Sequence, residues 1–212
     1  MINVCEQFKS IQGESTYAGL PCSFIRLSGC NLCCSYCDTP YAAGPGSPLA
    51  IESVMAVVAG HGCGLVEVTG GEPLLQVETP ELCRRLLDRG YTVLVETNGS
   101  LDIAALPAGC IRIMDVKSPS SGMAAKFREK NIDSLISSDQ VKFVISGHSD
   151  FSWAREFVHS RRLDNRCTVI FSPVQGACAP QELAKWILET KTPVRLGLQL
   201  HYYIWGPNTR GR

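Results

Sequence analysis

Short runs of β-branched and aliphatic residues alternate, along almost the whole chain, with stretches in which apolar side chains recur every three or four positions. Runs of that length and composition read as strands, and the intervening spacing reads as amphipathic helix. The pattern predicts strands at 22–28 (CSFIRLS), 65–69 (LVEVT), 92–96 (TVLVE), 111–115 (IRIMD), 140–145 (QVKFVI), 167–171 (CTVIF) and 194–198 (VRLGL). Ile51, Val54, Met55 and Val58 share one helical face. Thr79 as N-cap, Pro80 in the first turn and Glu81 behind it open a second helix, which Gly90 ends. Asp150 caps a third helix running to about Arg161, and Pro180 opens a fourth running to about Thr190.

Strand and helix in alternation specify an α/β fold, a parallel sheet covered by helices. The polar, glycine-containing strings SGCN, TGGEP, ETNG, DVKSP, ISGH, FSPVQG and QLH each follow a predicted strand. Parallel sheets and barrels place their sites where the carboxyl ends of the strands converge, so these distant strings share one mouth. The first twenty residues add an edge strand and a loop, Ser10 to Gly19, over that mouth. With 212 residues and no low-complexity linker, a single domain spanning 1–212 is expected.

Twenty Lys plus Arg balance twenty Asp plus Glu, which leaves no cationic excess for binding nucleic acid. The start, MINVCEQFKS, lacks the basic-then-apolar layout of a secretory signal. No apolar run approaches the roughly 20 residues that span a bilayer. A cytoplasmic protein that binds neither membrane nor nucleic acid is expected, and its eleven cysteines are then unlikely partners for structural disulfides. Cys5, Cys22, Cys63, Cys83, Cys110, Cys167 and Cys178 are scattered and read as small buried apolar groups.

The four cysteines of CNLCCSYC, 30–37, differ. Cys30, Cys34 and Cys37 have the spacing C-x3-C-x2-C directly after a strand. Three thiolates can hold three irons of a 4Fe-4S cluster and leave the fourth open to a ligand. Cys33 in place of Cys34 gives the alternative C-x2-C-x3-C. A structural zinc site, in a binding module without catalysis, competes because C-x2-C occurs twice; zinc ribbons, however, separate their pairs by about a dozen residues or more. In TGGEP, two glycines let backbone approach a ligand, while Glu72 either fixes the loop or accepts from an amine.

C-x3-C-x2-C followed by GGEP resembles the radical S-adenosylmethionine superfamily, which implies a partial (incomplete) β/α barrel of parallel strands. It also implies a 4Fe-4S cluster whose open iron chelates S-adenosylmethionine. FKSIQGES (8–15), PCSFIRLSGCNLCCSYCDT (21–39), TGGEP, ETNG, DVKSP and LQLHYYIWGP (198–207) together resemble 7-carboxy-7-deazaguanine synthase. That family contracts 6-carboxy-5,6,7,8-tetrahydropterin to 7-carboxy-7-deazaguanine with loss of ammonia, toward queuosine. Glycyl-radical activases share the cluster and much of the fold, and are the second enzymatic reading.

Carried over residue by residue, the resemblance makes Ile11, Gln12, Gly13, Glu14, Arg26, Thr69 and His201 the substrate site. It assigns Thr39 to Mg²⁺, and Gly71, Ser118, Ser120, Ser172 and Gln175 to S-adenosylmethionine. The sequence departs from the family at SPS for an SPK-like string, at SPVQ for a QPMD-like one, and at Tyr202 in QLHYY. A flavodoxin-like or other electron donor and a homodimer are implied as well. From chemistry alone, the Gln12 amide matches a pterin edge. Arg26 suits either a substrate carboxylate or a buried ion pair. His201 reads equally as a substrate contact or a core histidine, and Glu14 as a ligand or a solvated residue. Lys117 and Lys142 read as site charges or, as is commoner for lysine, as solvated or structurally paired, and His61, His148 and His159 as ordinary loop or helix positions.

Overall fold

The computed structural model describes residues 1–190, 193–206 and 210–211. Its centre is one sheet formed by β1 (Ile2–Ile11), β2 (Pro21–Leu27), β3 (Ser47–Leu49), β4 (Leu65–Gly70), β5 (Thr92–Thr97), β6 (Ile111–Asp115), β7 (Gln140–Ile145), β8 (Thr168–Pro173) and β9 (Arg195–Leu196). The spatial order is β3-β1-β2-β4-β5-β6-β7-β8-β9. From β2 to β9 every neighbouring pair is parallel, whereas β1 runs antiparallel to both β2 and β3. Among the described residues β3 and β9 are not paired with each other, so the sheet is an incomplete barrel with two edges.

The helices are α1 (Ile51–His61), α2 (Thr79–Asp88), α3 (His148–Arg161), α4 (Pro180–Leu188) and a short α5 (Leu200–Trp205). Side chains alternate across a strand, and the two faces of this sheet take up different work. Val66, Val68, Val93 and Val95 face α1 and α2, where they pack with Val54, Met55, Val58, Leu82 and Leu86. Val141, Phe143, Val169 and Phe171 face α3 and α4, packing with Phe151, Ala154, Phe157 and Leu183. Phe143 sits at the centre of an aromatic lattice, edge-on to Phe157 and Phe171 at 5.5 Å and to Trp153 at 6.2 Å. Cys22, Phe24, Leu65, Leu94 and Ile113 form a third, smaller cluster on the concave face.

Four local expectations are corrected. β1 is not an edge strand, because residues 47–49 pair with it; the string SPL carries no alternation that would announce a strand. The last strand shrinks from 194–198 to Arg195–Leu196, flanked by Pro193, which cannot donate to a ladder, and by Gly197, which packs against Ile170 and Ser172 where a side chain would collide. Thr79 is the first helical residue and not the cap; its hydroxyl donates to the Pro73 carbonyl at 2.6 Å. Asp150 lies inside the first turn of α3, which starts at His148, and its carboxylate reaches back to the amide of Ser146. Of the scattered cysteines, Cys22, Cys63, Cys83, Cys110 and Cys178 are buried and Cys5 and Cys167 half-buried, as small apolar groups are expected to be.

Phe143→Ala removes the ring that joins β7 to α3, and large-to-small changes in such cores cost about 3–5 kcal/mol. Urea denaturation of the variant should show that loss, with the sheet still formed by circular dichroism.

Candidate active site

The concave face changes character from the amino to the carboxyl ends of its strands. Along β4 the inward positions read Leu65, Glu67, Thr69; along β2 Cys22, Phe24, Arg26; along β5 Leu94, Glu96; along β6 Ile113, Asp115. An apolar floor thus gives way to a rim of charge. Lys142 on β7 completes the rim, its side chain only 6% exposed.

Lys142 Nζ donates to Glu14 at 2.6 Å and to Glu96 at 2.5 Å, and lies 3.6 Å from Asp115. Asp115 in turn holds Lys117 at 2.7 Å. Glu96 accepts from the Thr69 hydroxyl at 3.1 Å. The Gln12 amide donates to Glu67 and accepts from the Glu14 backbone amide at 3.0 Å. These contacts run from Glu67 through Gln12, Glu14, Lys142 and Glu96 to Thr69, and strand β4, which carries both ends, closes them into a ring. Burial alone would strip the charge from Lys142, but Glu14, Glu96 and Asp115 outweigh it and hold its pKa up. Burial likewise pushes the Glu14 carboxyl up, and the Lys142 charge with its hydrogen bonds reverses the sign and holds it low.

The ring exists because the loop between β1 and β2 crosses the concave face. Its ends are tied by Gln12 and Leu20, N to O at 2.8 Å, and its far side reaches β7, where Gln140 exchanges two 2.9 Å hydrogen bonds with Thr16. Ser15 adopts a left-handed conformation, φ +64°, at the bend. The Gly13 carbonyl accepts from Leu200 at 3.0 Å, and a Cβ at Gly13 would sit 2.8 Å from Nδ1 of His201. The QLH segment therefore packs on the IQGE loop, which requires glycine there. Gln199 adds a 2.9 Å hydrogen bond to Glu14.

The cysteine loop caps the same mouth and is held by its neighbours. Glu72, fully buried, accepts from Leu74 N (3.0 Å), Thr97 Oγ1 (2.8 Å) and Asn98 N (2.7 Å), so it fixes TGGEP to ETNG and is not free to meet a ligand amine. Its own amide donates to Gly29 at 2.8 Å. Side chains at Gly70 or Gly71 would collide with the carbonyls of Leu27 and Gly29, so this double glycine lets two loops touch through their backbones. On the other flank, Ser35 donates to the Ser120 carbonyl at 2.8 Å, and Tyr36 shares a hydrogen bond with Ser118 at 3.1 Å. Asp150 secures that flank by accepting from the hydroxyls and amides of both Ser120 and Ser146.

Cys30 and Cys34 are half-buried, Cys33 and Cys37 exposed. Burial raises the thiol pKa of Cys30 and of Cys34; Cys37 raises both further, and Lys117 opposes. The three thiols thus lie within electrostatic reach of one another beside a fixed cation. Among the described residues no three His, Cys, Asp or Glu side chains already form a metal cage. Three soft thiolates on one loop suit iron, and one further feature suits a cofactor amine: Asp115 Oδ1 is buried at the rim with no hydrogen-bond partner.

The remaining sequence candidates divide. Arg26 is paired through Nε with Glu6 at 2.8 Å, and Tyr41 donates to the same carboxylate at 2.9 Å. Ile11 ends β1, and Thr39 heads a 3-10 turn without a capping hydrogen bond from its hydroxyl. Ser118 and Ser120 have hydroxyls engaged with Val144 and Asp150; Ser172 is buried at the end of β8. Gln175 is exposed in a surface depression with Tyr202 and Tyr203. Lys142 is buried and Lys117 half-buried, and both are paired charges of the rim, which joins the site-charge reading to the paired one. His61 meets Ser23 at 2.7 Å on the convex side. Pro207 of the LQLHYYIWGP string lies outside the described residues. Sequence reasoning passed over Glu67, Glu96 and Asp115. Their signal was an acid at an inward-facing strand position, which breaks a run otherwise apolar enough to be buried on both faces.

The family model described as the Radical SAM superfamily matches residues 24–115. A protein of Koribacter versatilis named 7-carboxy-7-deazaguanine synthase is 43% identical over 225 residues, covering 99% of this chain and all of that one. A protein of the same name from Chlorobaculum tepidum is 42% identical, covering 99% and 97%. Among solved structures, QueE from Escherichia coli superposes with a TM-score of 0.75 over 93% of each chain at 20% identity, which establishes the shared fold. Likeness at this level over the full length, on a sheet whose carboxyl ends carry the cysteine loop and TGGEP and whose concave face the IQGE loop crosses, places the chain in the 7-carboxy-7-deazaguanine synthase family of radical S-adenosylmethionine enzymes.

Proposed function

We propose that this chain converts 6-carboxy-5,6,7,8-tetrahydropterin to 7-carboxy-7-deazaguanine with loss of ammonia, a step toward queuosine and related 7-deazapurines. The observation that carries the reading is the network that runs from Glu14 of the IQGE loop through Lys142 and Asp115 to Lys117, whose charge acts on Cys30 and Cys34, in a chain alike over its whole length to relatives named 7-carboxy-7-deazaguanine synthase. A glycyl-radical activase would admit a peptide, and here the loop tied from Glu67 to Gln140 lies across the concave face that a peptide would have to enter.

Cys30, Cys34 and Cys37 would hold the 4Fe-4S cluster. Gly71, Ser118, Ser120, Ser172 and Gln175 are the proposed neighbours of S-adenosylmethionine, with Asp115 as a further acceptor. When bound and reduced, that pair of groups supplies a deoxyadenosyl radical able to take hydrogen from carbon 6 of the substrate. The polypeptide supplies orientation, where small displacements matter. Arg26, already anchored by Glu6, would present its guanidinium to the substrate carboxylate, and Thr39 would contribute its hydroxyl to a Mg²⁺ shared with substrate oxygens and water. Gln12, Gly13 and Glu14 would contact the heterocycle through a loop whose side chains are already committed, Glu14 to Lys142 and Gln12 to Glu67. Thr69 and His201 would flank it. A flavodoxin-like or other reductant, a homodimer, one domain and a cytoplasmic location complete the reading.

Three outcomes are expected. After anaerobic reconstitution, Cys30→Ala, Cys34→Ala and Cys37→Ala should each lose the iron-sulfur absorbance and product formation, while Cys33→Ala keeps both. Loss in the Cys33 variant, with Cys34→Ala intact, would reverse the ligand register. Absence of an ultraviolet-absorbing deazapurine from intact protein with carboxytetrahydropterin would sink the function itself. Lys142→Met strands two carboxylates and should cost about 3–5 kcal/mol in urea denaturation, as removal of one partner from a buried pair does. Glu14 has a folded pKa below its ordinary value, so its pairing stabilises the fold above the ordinary carboxylate range and that stability is lost as pH falls through the lowered value. The acid-side slope of stability should therefore flatten in Lys142→Met.

A further inference from the structure

Glu67 has no part in the residues carried over from the family, yet it is one of the most enclosed acids in the molecule, 5% exposed on the concave face. In register it lies between Phe24 and Leu94, over the apolar floor. Oε2 accepts from the Gln12 amide. Oε1 makes no hydrogen bond among the described residues and keeps some contact with solvent. No ion pair reaches it among those residues, because Lys142 is spent on Glu14, Glu96 and Asp115. A carboxyl withdrawn from water in this way is costly unless it is protonated or given a donor.

The groups facing it are Gln12 and Glu14 from the β1–β2 loop, Cys22 from β2, Glu96 from β5 and Lys142 from β7. Burial, and then the charges of Glu96 and Glu14, push its pKa up to about 8 against the opposing Gln12 hydrogen bond and Lys142. In the free protein at neutral pH it therefore carries a proton for most of the time.

We propose that Glu67 is a specificity-determining residue whose open oxygen accepts from the 2-amino and N3–H edge of the pterin. This rests on the pterin reading above. That edge offers adjacent donors, and a carboxylate is an acceptor only, so the two match. A ring with a 2-oxo group in place of the amine sets oxygen against oxygen, and buried polar groups left mismatched reject such analogues strongly. Gln12, held by the same carboxyl, would turn the presence of the donor edge into an ordered IQGE loop. Accepting from two N–H groups favours the ionised acid, so binding should release the proton to solvent.

The test is anaerobic calorimetry on the cluster-reconstituted holoenzyme, using 6-carboxypterin and 6-carboxylumazine as unreactive probes below neutral pH, in buffers of different ionisation enthalpy. Wild type should prefer the pterin by at least about tenfold and release a proton on binding it. Glu67→Gln should lose both, and its KM for carboxytetrahydropterin should rise with kcat little changed. Equal binding of the probes by wild type, a preference without proton release, or a preference that survives in Glu67→Gln would each overturn the proposal while product formation leaves the pterin reading standing. Failure of wild type to bind either probe or to form product would remove both. The wild-type arm decides even where the variant does not fold.

Discussion

One buried ammonium makes the mouth of this sheet possible. Four acids point into or across the concave face, and at low dielectric the repulsion among Glu14, Glu96 and Asp115 would open the loop that brings Glu14 there. Lys142 meets three of them, and because it stands on the central part of a parallel sheet it cannot swing away to solvent. The β1–β2 loop is thereby fastened at both ends, to β4 through Gln12 and to β7 through Glu14 and Thr16. A long connection that would otherwise be free becomes one wall of the site.

That arrangement separates the two halves of the chemistry. The heterocycle end is organised by charges on strand side chains, whereas the thiol end is organised by neutral hydrogen bonds between loops: backbone to backbone for Glu72 with Gly29 and Ser35 with Ser121, and through the hydroxyls of Ser35 to Ser120 and of Tyr36 to Ser118. These contacts between loops do not use the thiols, of which Cys30 alone accepts a hydrogen bond among the described residues, from the amide of Leu32, and that suits a loop that must reshape around a cluster. Lys117 belongs to both halves, since it pairs with Asp115 of the rim and its charge acts on Cys30 and Cys34.

Much of this could be read before any coordinates, because each parallel strand carries a period and a bounding turn in its own sequence. All seven predicted strands exist, and TGGEP, ETNG and DVKSP follow β4, β5 and β6 as expected. What was not legible depended on partners far along the chain. β3 has three residues and gains its identity only from Ile2 to Val4, which lie more than forty positions away. Asp150 looked like a local cap, and its actual partners include Ser120, thirty positions earlier. Glu67 and Glu96 sat within strings that read as strand, where propensity says nothing about which face an acid will take or what cation awaits it.

The buried acids show how scaffold and chemistry divide in this molecule. Glu72 accepts from three donors and Asp150 from four, two of those backbone amides in each case. Their oxygens are saturated, so their work is to hold loops together, and a ligand could reach them only by breaking the fold. Glu67 and Asp115 are as deeply placed but each keeps an oxygen without a partner among the described residues. Leaving such an atom unpaired costs stability in the free protein, and a fold retains that cost where another molecule will remove it. Both unsaturated acids lie on the concave face, one over the apolar floor and one beside the thiols, which is the arrangement required if substrate and cofactor enter the same mouth from different sides.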